Sequence, residues 1–201
     1  MGKDAGELKW QEHDFGLYPD GETYLAVRRK CGFELMLKMF PDLIEHRNEA
    51  GLDLGCGIVS IYDNTEFTDI TAVDPLLSSY NKIYMPTNTN VRYDYNYRDD
   101  GILPFEDGSF TFVTCLNVID HTVHHKELIG EIHRVLKPNG CLYLWVNFCD
   151  TLWLPEHVKL WNIGVIREEF SNFQLVSDTT VRLEKEKTFQ YWGVFKKEEK
   201  T

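Results

Sequence analysis

The sequence predicts an α/β fold, a doubly wound and mostly parallel sheet of seven strands that ends in an antiparallel C-terminal pair. Three observations predict it: short apolar segments typical of buried strands, helical patterns between several of them, and a glycine turn after the first strand. The strand segments are mostly apolar, β-branched and aromatic without clean alternation, which is typical of a sheet covered on both faces. We therefore expect a single domain over residues 1–201.

The first half of the chain begins with a helix and continues with short strands. The helix is predicted over residues 22–40, because apolar residues occupy one broad face before Pro41 ends it. The segment "SIYDNTEF" (60–67) is a poor helix former, so the helix after the first strand is predicted to be short or irregular. Apolar segments predict strands at 50–54, 69–74, 90–95, 110–118 and 141–148.

The second half is predicted to complete the sheet. The clearest helix covers residues 123–136, where five apolar residues form one stripe before "KPNG" ends it. A second amphipathic helix is predicted over 156–170. The segments "FQLVSDTTVRLE" and "TFQYWGVFKK" then follow without a helix between them, which indicates a closing antiparallel pair.

The composition excludes several classes of protein and of partner. Apolar residues make up 43% and charged residues 26% of the chain, as in ordinary globular domains. The formal net charge is −11 and no dense cluster of Lys and Arg occurs, so nucleic acid is not an expected partner. The five cysteines lack metal-ligand spacing and lie mostly in apolar runs, which favours a cytoplasmic protein. No apolar signal region and no run of 18 apolar residues occurs, so no membrane association is expected.

The stretch "GLDLGCG", residues 51–57, places two glycines one residue apart where the first predicted strand ends. Glycine lets the backbone turn through positive φ and approach a ligand closely. Asp74 ends the second predicted strand, 19 residues after Gly55, at a position from which a carboxylate can accept from both ribose hydroxyls of a nucleotide-like ligand. The pattern therefore predicts a small-molecule site at the carboxyl ends of these strands.

Two classes of cofactor fit this geometry. A nicotinamide dinucleotide favours a third glycine at position 60, where the pyrophosphate approaches the helix N-terminus, but Ser60 is present there. Asp53, just before the glycines, repels a pyrophosphate and suits a ligand with an ammonium group and a sulfonium. A nicotinamide-dependent oxidoreductase is therefore the less favoured interpretation, and it stays open.

Four motifs occur in order along residues 51–148: "LDLGCG", "AVDP", "LPFEDGSFTFVTCLNVIDH" and "EIHRVLKPNGCLYL". In these motifs the chain resembles the class I S-adenosylmethionine-dependent methyltransferases, specifically the small, broad group called methyltransferase type 11. The resemblance implies a Rossmann-like methyltransferase fold, S-adenosyl-L-methionine as cofactor and S-adenosyl-L-homocysteine as product. We expect residues 1–48 to form an N-terminal helical segment or lid, 49–148 the cofactor-binding core, and 149–201 the substrate-side helix and closing strands.

The resemblance also implies which residues bind the cofactor. Asp53, Gly55 and Gly57 are expected at its methionine end, with Asn117 beside the same moiety. Asp74 is expected at the ribose, and Leu76 on one face of the adenine. Asp99, four residues before Leu103, falls where members of the family bind the adenine amino group. The full predicted set is Asp53, Gly55, Cys56, Gly57, Asp74, Pro75, Leu76, Asp99 and Asn117.

Two residues depart from the family pattern. Val59 stands where the third glycine is usual, and Thr111 stands where an aspartate is common. These departures keep open a second alternative, a non-catalytic cofactor-binding or interaction protein of the same fold.

The candidate catalytic residue is His121, which follows the carboxyl end of the fourth predicted strand, where side chains point at the transferable methyl group. A hydroxyl acceptor benefits from a general base, for which His121, Asp120 and His157 are candidates, whereas an amine acceptor needs only to arrive neutral. His121 could equally have a structural or capping role. The spacing of His121, His124 and His125 could hold a metal, but no acidic or cysteine partner completes the set, so no metal is expected.

The acceptor pocket is expected outside the common core, in two aromatic-rich segments before the first helix and after the fifth strand. Mixed aromatic and polar tips favour a small-molecule acceptor such as a sugar or another polar metabolite, and we expect an O or N atom of it to receive the methyl group by in-line displacement. The same aromatic residues could instead seal the sheet. The substrate-side candidates are Tyr18, Tyr24, Trp153, His157 and Trp161.

Overall fold

The computed structural model describes residues 20–82, 89–148, 159–183 and 188–199, together with Lys9, His13, Gly16 and Leu17. The strands are β1 (Gly51–Leu54), β2 (Ile70–Val73), β3 (Val91–Asp94), β4 (Phe110–Leu116), β5 (Leu136–Phe148), β6 (Gln174–Leu183) and β7 (Thr188–Lys196). The α-helices are α1 (Gly21–Met39), α2 (Leu77–Tyr80), α3 (His125–Val135) and α4 (Ile163–Glu169), with a 3-10 helix over Pro41–His46.

The seven strands form one sheet in the order β3-β2-β1-β4-β5-β7-β6. Strands β1 to β5 run parallel to one another, whereas β7 runs antiparallel to both β5 and β6. The predicted doubly wound sheet with an antiparallel C-terminal pair is therefore confirmed. The chain order reverses between β1 and β4, and the crevice beyond their carboxyl ends is where such sheets bind ligands.

Apolar side chains cover the sheet on both faces. On one face, Leu128, Ile132 and Val135 of α3 are fully buried, and each such side chain contributes about 1.5–3 kcal/mol through burial. On the other face, Met36 and Phe40, at the C-terminal end of α1, pack with the sheet. The result is three layers, a sheet with apolar side chains packed on both faces.

The predicted helix over 22–40 is confirmed as Gly21–Met39, with the Asp20 side chain accepting from the Thr23 N–H at 2.7 Å as its N-cap. A short or irregular helix was predicted after the first strand, but residues 55–69 contain turns and no helix, as their low helix propensity allows. The predicted strand at 141–148 begins earlier, at Leu136, because the "KPNG" segment stays in the sheet as an irregularity in which Asn139 adopts φ +65°.

The helix predicted over 156–170 is shorter where the structure describes it. Residues 159–162 are not helical, and α4 begins at Ile163. The reason is local: Asn162 is extended, and its side chain accepts from the Val165 N–H at 3.1 Å, so the helix starts from this cap. Residues 156–158 lie outside the described residues.

Candidate active site

The glycine turn after β1 depends on both of its glycines. Gly55 and Gly57 adopt φ of +73° and +65°, in the left-handed region that side chains disfavour. The Gly55 N–H donates to the Val73 carbonyl at 2.8 Å, which ties the turn to β2. A Cβ on Gly55 would lie 2.2 Å from Cγ2 of Val118, so the turn also touches the loop after β4. The turn therefore lies where the two loops of the switch point meet.

Asp74, which follows β2, joins three of the predicted cofactor-binding positions. Its Oδ2 accepts from the Gly57 N–H at 3.0 Å, and its Oδ1 accepts from the Leu76 N–H at 2.9 Å. A carboxylate has about four lone-pair sites, and these two bonds use one on each oxygen. The sequence placed Gly57, Asp74 and Leu76 in one site, and the structure brings them together.

Asp53 lies beneath the glycine turn and is only 4% exposed. Its Oδ2 accepts from Ser60 Oγ at 2.6 Å, and its Oδ1 accepts from Thr114 Oγ1 at 3.2 Å. Burial raises its pKa to about 6, and the bonds from the two hydroxyls limit that rise. Sequence analysis treated Ser60 only as a missing glycine, and it did not identify Thr114, which lies beside Asp53 across the β1/β4 pair. Both hydroxyls fix the Asp53 carboxylate beneath the glycine turn through these hydrogen bonds.

The raised pKa of Asp53 predicts a specific pH dependence of stability. Because the folded protein holds this proton up to about pH 6 while the unfolded chain releases it near pH 3.8, stability falls as pH rises through that window. Relative to Asp53→Asn, the parent should lose roughly 2–3 kcal/mol of unfolding free energy between about pH 4 and pH 7. Urea unfolding of both proteins across that range measures the difference, and parallel curves would contradict the assignment.

The predicted adenine side of the site lies between the loops that follow β3 and β4. Asp99 accepts from Thr122 Oγ1 at 2.6 Å. Tyr97, which sequence analysis missed, is 4% exposed, and burial and the charge of Asp99 raise the pKa of its phenol, with Asp74 a smaller cause. Its position two residues before Asp99 was the available signal. The two predicted carboxylates and this neutral phenol therefore share one region of the structure.

Asn117 follows β4 and is held by the neighbouring strand β5. It adopts φ +59°, and its N–H donates to the Trp145 carbonyl at 2.8 Å. Its side-chain oxygen accepts from Nδ2 of Asn147, a residue that sequence analysis did not select. The signal for Asn147 was its place at the carboxyl end of the fifth strand. The paired amides fix the Asn117 side chain at the strand ends.

His121 lies in the loop beyond β4, next to a buried carboxylate. Asp120 is fully buried, and its Oδ2 lies 3.9 Å from Nε2 of His121, whose side chain is 25% exposed. This distance is longer than a hydrogen bond and close enough for electrostatic attraction. A partly exposed imidazole therefore lies beside a buried carboxylate just beyond the carboxyl end of β4.

Two of the five substrate-side candidates lie in the core. Tyr24 is fully buried and packs with Ile58 and Val59 of the glycine loop. Trp161 is 2% exposed, and its ring meets His125 edge-on at 5.6 Å between centroids. The burial of these two side chains agrees with the alternative interpretation, in which the aromatic residues cover the sheet. The other three candidates, Tyr18, Trp153 and His157, lie outside the described residues.

The two departures from the family pattern have structural explanations. The side chain of Val59 is 3% exposed and packs with Tyr24 of α1, so it fills space between the helix and the glycine loop. Thr111 is the second residue of β4, at the end of the strand opposite to the site, where its N–H donates to the Ala50 carbonyl at 2.8 Å. Neither side chain has an evident conflict with a ligand at the strand ends.

The described residues contain no group of three or more His, Cys, Asp and Glu side chains arranged to hold a metal ion. In the same residues, no helix combines the length and the apolar character needed to cross a membrane.

The strand order, the glycine turn and the aspartate after β2 together define the class I methyltransferase fold. Residues 52–144 match the family model of the methyltransferase domain of type 11. The expected cofactor, S-adenosylmethionine, is the methyl donor of such methyltransferases.

Individual relatives are more distant. The chain is 29% identical over 153 residues to an uncharacterized protein of Methanocaldococcus jannaschii, covering 72% of this chain and 60% of that protein. It is 32% identical over 124 residues to the sterol 24-C-methyltransferase of Schizosaccharomyces pombe, covering 57% of this chain and 33% of the yeast enzyme. The chain thus spans less than two thirds of the length of both curated relatives.

A solved structure with a similar fold is the 1,6-didemethyltoxoflavin-N1-methyltransferase of Burkholderia thailandensis, which holds 1,6-didemethyltoxoflavin and S-adenosylhomocysteine. The TM-score is 0.59 at 16% identity, with 90% of this chain and 92% of that chain covered. At this identity the similarity concerns the fold.

Proposed function

We propose that the protein transfers a methyl group from S-adenosylmethionine to an O or N atom of a small polar acceptor. The observation that carries this proposal is the Asp74 carboxylate, bound to the Gly57 and Leu76 N–H groups at the switch point of the sheet. This arrangement presents a carboxylate to a ribose while it keeps the glycine turn in place.

The residues at the switch point fit the cofactor. The left-handed glycine turn leaves backbone rather than side chain facing the ligand, which supports close approach of the methionine end. S-adenosylmethionine supplies a methyl group on a positively charged sulfur. The contribution of the chain is to align the two reactants and to exclude water, because a displacement of this kind needs an in-line approach.

The acceptor side is proposed at the carboxyl ends of β4 and β5. His121 would remove the proton from a hydroxyl acceptor, and the buried Asp120 beside it supports that role by favouring the protonated ring that results. An amine acceptor needs no base, so His121 would then only line the site. The aromatic and polar candidates Tyr18, Trp153 and His157 remain a proposal for acceptor contacts.

The structure adds no support for the two alternative functions, a non-catalytic protein of the same fold and a nicotinamide-dependent oxidoreductase. The Val59 and Thr111 departures, which kept a non-catalytic protein open, are explained by packing and by distance from the strand ends. A nicotinamide dinucleotide is disfavoured at the turn because Asp53 and the hydroxyl of Ser60 lie beneath it instead of a third glycine.

Isothermal titration calorimetry tests the cofactor proposal directly. We expect S-adenosylmethionine and S-adenosylhomocysteine to bind in the micromolar range, between about 1 µM and a few hundred micromolar, as is usual for metabolite sites. NAD serves as the control ligand, since it shares the adenosine but adds a pyrophosphate. Clear binding of NAD together with no heat from either sulfur ligand would overturn the proposal.

A further inference from the structure

The loop that carries Asp99 is attached to the start of α3 at two places. Asp99 Oδ1 accepts from Thr122 Oγ1 at 2.6 Å, a length typical of a hydroxyl bonded to a carboxylate. Two residues further on, Gly101 adopts φ +77°, and a Cβ there would lie 2.7 Å from Cβ of Glu127. The loop therefore packs closely against α3 and the residues just before it.

Other contacts hold the backbone of this loop, but the Thr122 bond acts on the carboxylate itself. Leu103 N–H donates to Glu131 Oε2 at 3.0 Å, and Arg134 donates to the Leu103 carbonyl at 3.1 Å. These bonds fix where the loop runs. They do not determine the rotation of the Asp99 side chain.

Thr122 is well suited to set that rotation. Its side chain is buried, with 4% of the residue exposed, and its Oγ1 accepts from the His124 N–H at 3.1 Å. A hydroxyl has a single hydrogen, and the bond from His124 occupies one lone pair, so the hydrogen is directed to Asp99. The donor is thus fixed in position before any ligand binds.

We propose that Thr122 is a positioning residue that orients the Asp99 carboxylate and thereby determines selectivity for the adenine amino group. This inference rests on the proposed function and on the role that the family resemblance implies for Asp99, which is to accept a hydrogen bond from that amino group. A carboxylate held in one orientation accepts from an amino group and repels a carbonyl oxygen at the same place. Thr122 therefore acts on the base of the cofactor without touching it.

The test compares S-adenosylhomocysteine with S-inosylhomocysteine, in which a carbonyl oxygen replaces the amino group. The parent should prefer S-adenosylhomocysteine by roughly ten- to a hundredfold. Thr122→Val, which keeps the shape and removes the hydroxyl, should lower that preference by about five- to tenfold. Thr122→Ser, which restores the hydroxyl, should keep the parental preference. The ratio is informative because general damage to the site weakens both ligands together.

Thr65→Val is the matched control. Thr65 Oγ1 also donates once and accepts once, to the Tyr62 carbonyl at 2.7 Å and from the Phe67 N–H at 3.4 Å. It should cost stability in the same way and leave the ligand preference unchanged. If Thr122→Val does not fold, Thr122→Ala replaces it, because the smaller side chain leaves room for water at the His124 N–H.

The outcomes separate the two proposals. A parental preference that persists in Thr122→Val, or that is also lost in Thr65→Val, overturns the positioning role and leaves the proposed function standing. A parent that binds both ligands equally overturns the role of Asp99 and the inference with it. A parent that binds neither ligand overturns the proposed function itself.

Discussion

Replacing Asp74 with alanine should weaken binding of S-adenosylhomocysteine by about 1.5–3 kcal/mol, which is roughly 10- to 150-fold. The carboxylate is proposed to accept from the ribose hydroxyls, and hydrogen bonds to a charged group are the ones most costly to lose. The substitution also releases the N–H groups of Gly57 and Leu76, so the glycine turn loses a support. Calorimetric titration of the parent and the variant measures the change.

Asp94→Ala is the control for this experiment. Asp94 also ends a parallel strand, β3, and its Oδ1 accepts from the N–H two residues later, that of Asn96, at 2.8 Å. It resembles Asp74 in this local bond and lacks the bond to the glycine turn. The ribose role is supported if Asp74→Ala binds S-adenosylhomocysteine more weakly than the parent does and Asp94→Ala binds it as the parent does. Equal affinity in the parent and in Asp74→Ala, at unchanged melting temperature, rules that role out.

Replacing His121 with alanine should lower turnover of a hydroxyl acceptor by about 10²- to 10⁴-fold, the usual contribution of a general base. Affinity for S-adenosylhomocysteine should change by no more than a factor of about three, because the proposed role concerns the acceptor alone. Turnover, affinity for S-adenosylhomocysteine and melting temperature are measured for the parent and for His121→Ala.

His133→Ala provides the comparison. His133 lies on α3 and packs its ring edge-on against Phe173 at 5.0 Å, so its loss removes packing of a similar size without reaching the strand ends. It should lower the melting temperature and leave turnover near the parental value. If His121→Ala behaves in the same way, His121 is a structural residue, and an amine that needs only positioning becomes the favoured acceptor.

Much of the fold could be predicted because its signals are local. The strands, the glycine turn and the aspartate after β2 are each encoded within a few residues, and their order along the chain specified the sheet. The irregular connection after β1 was predicted for the same reason, from the low helix propensity of residues 60–67. The helix over 156–170 was overextended because a periodic pattern does not show where a cap such as Asn162 interrupts it.

The supporting residues of the site could not be predicted from local patterns. Thr114 lies 61 residues from Asp53 along the chain, and Asn147 lies 30 residues from Asn117, so strand pairing alone brings them together. The aromatic residues were ambiguous for a different reason. A buried Tyr24 and a ligand-facing tyrosine have the same composition signal, and only the packing of α1 on the glycine loop distinguishes them.

The contact between Gly55 and Val118 has a consequence for how this sequence can change. Because Val118 Cγ2 lies 2.2 Å from where a Cβ on Gly55 would be, the two positions, 63 residues apart, form a coupled pair. A smaller residue at 118 relieves the steric conflict of an alanine at 55, but it does not remove the cost of φ +73°. A second-site suppressor at 118 can therefore restore only part of what the first substitution loses. Position 55 is thus confined to glycine by its own backbone, whichever residue stands at position 118.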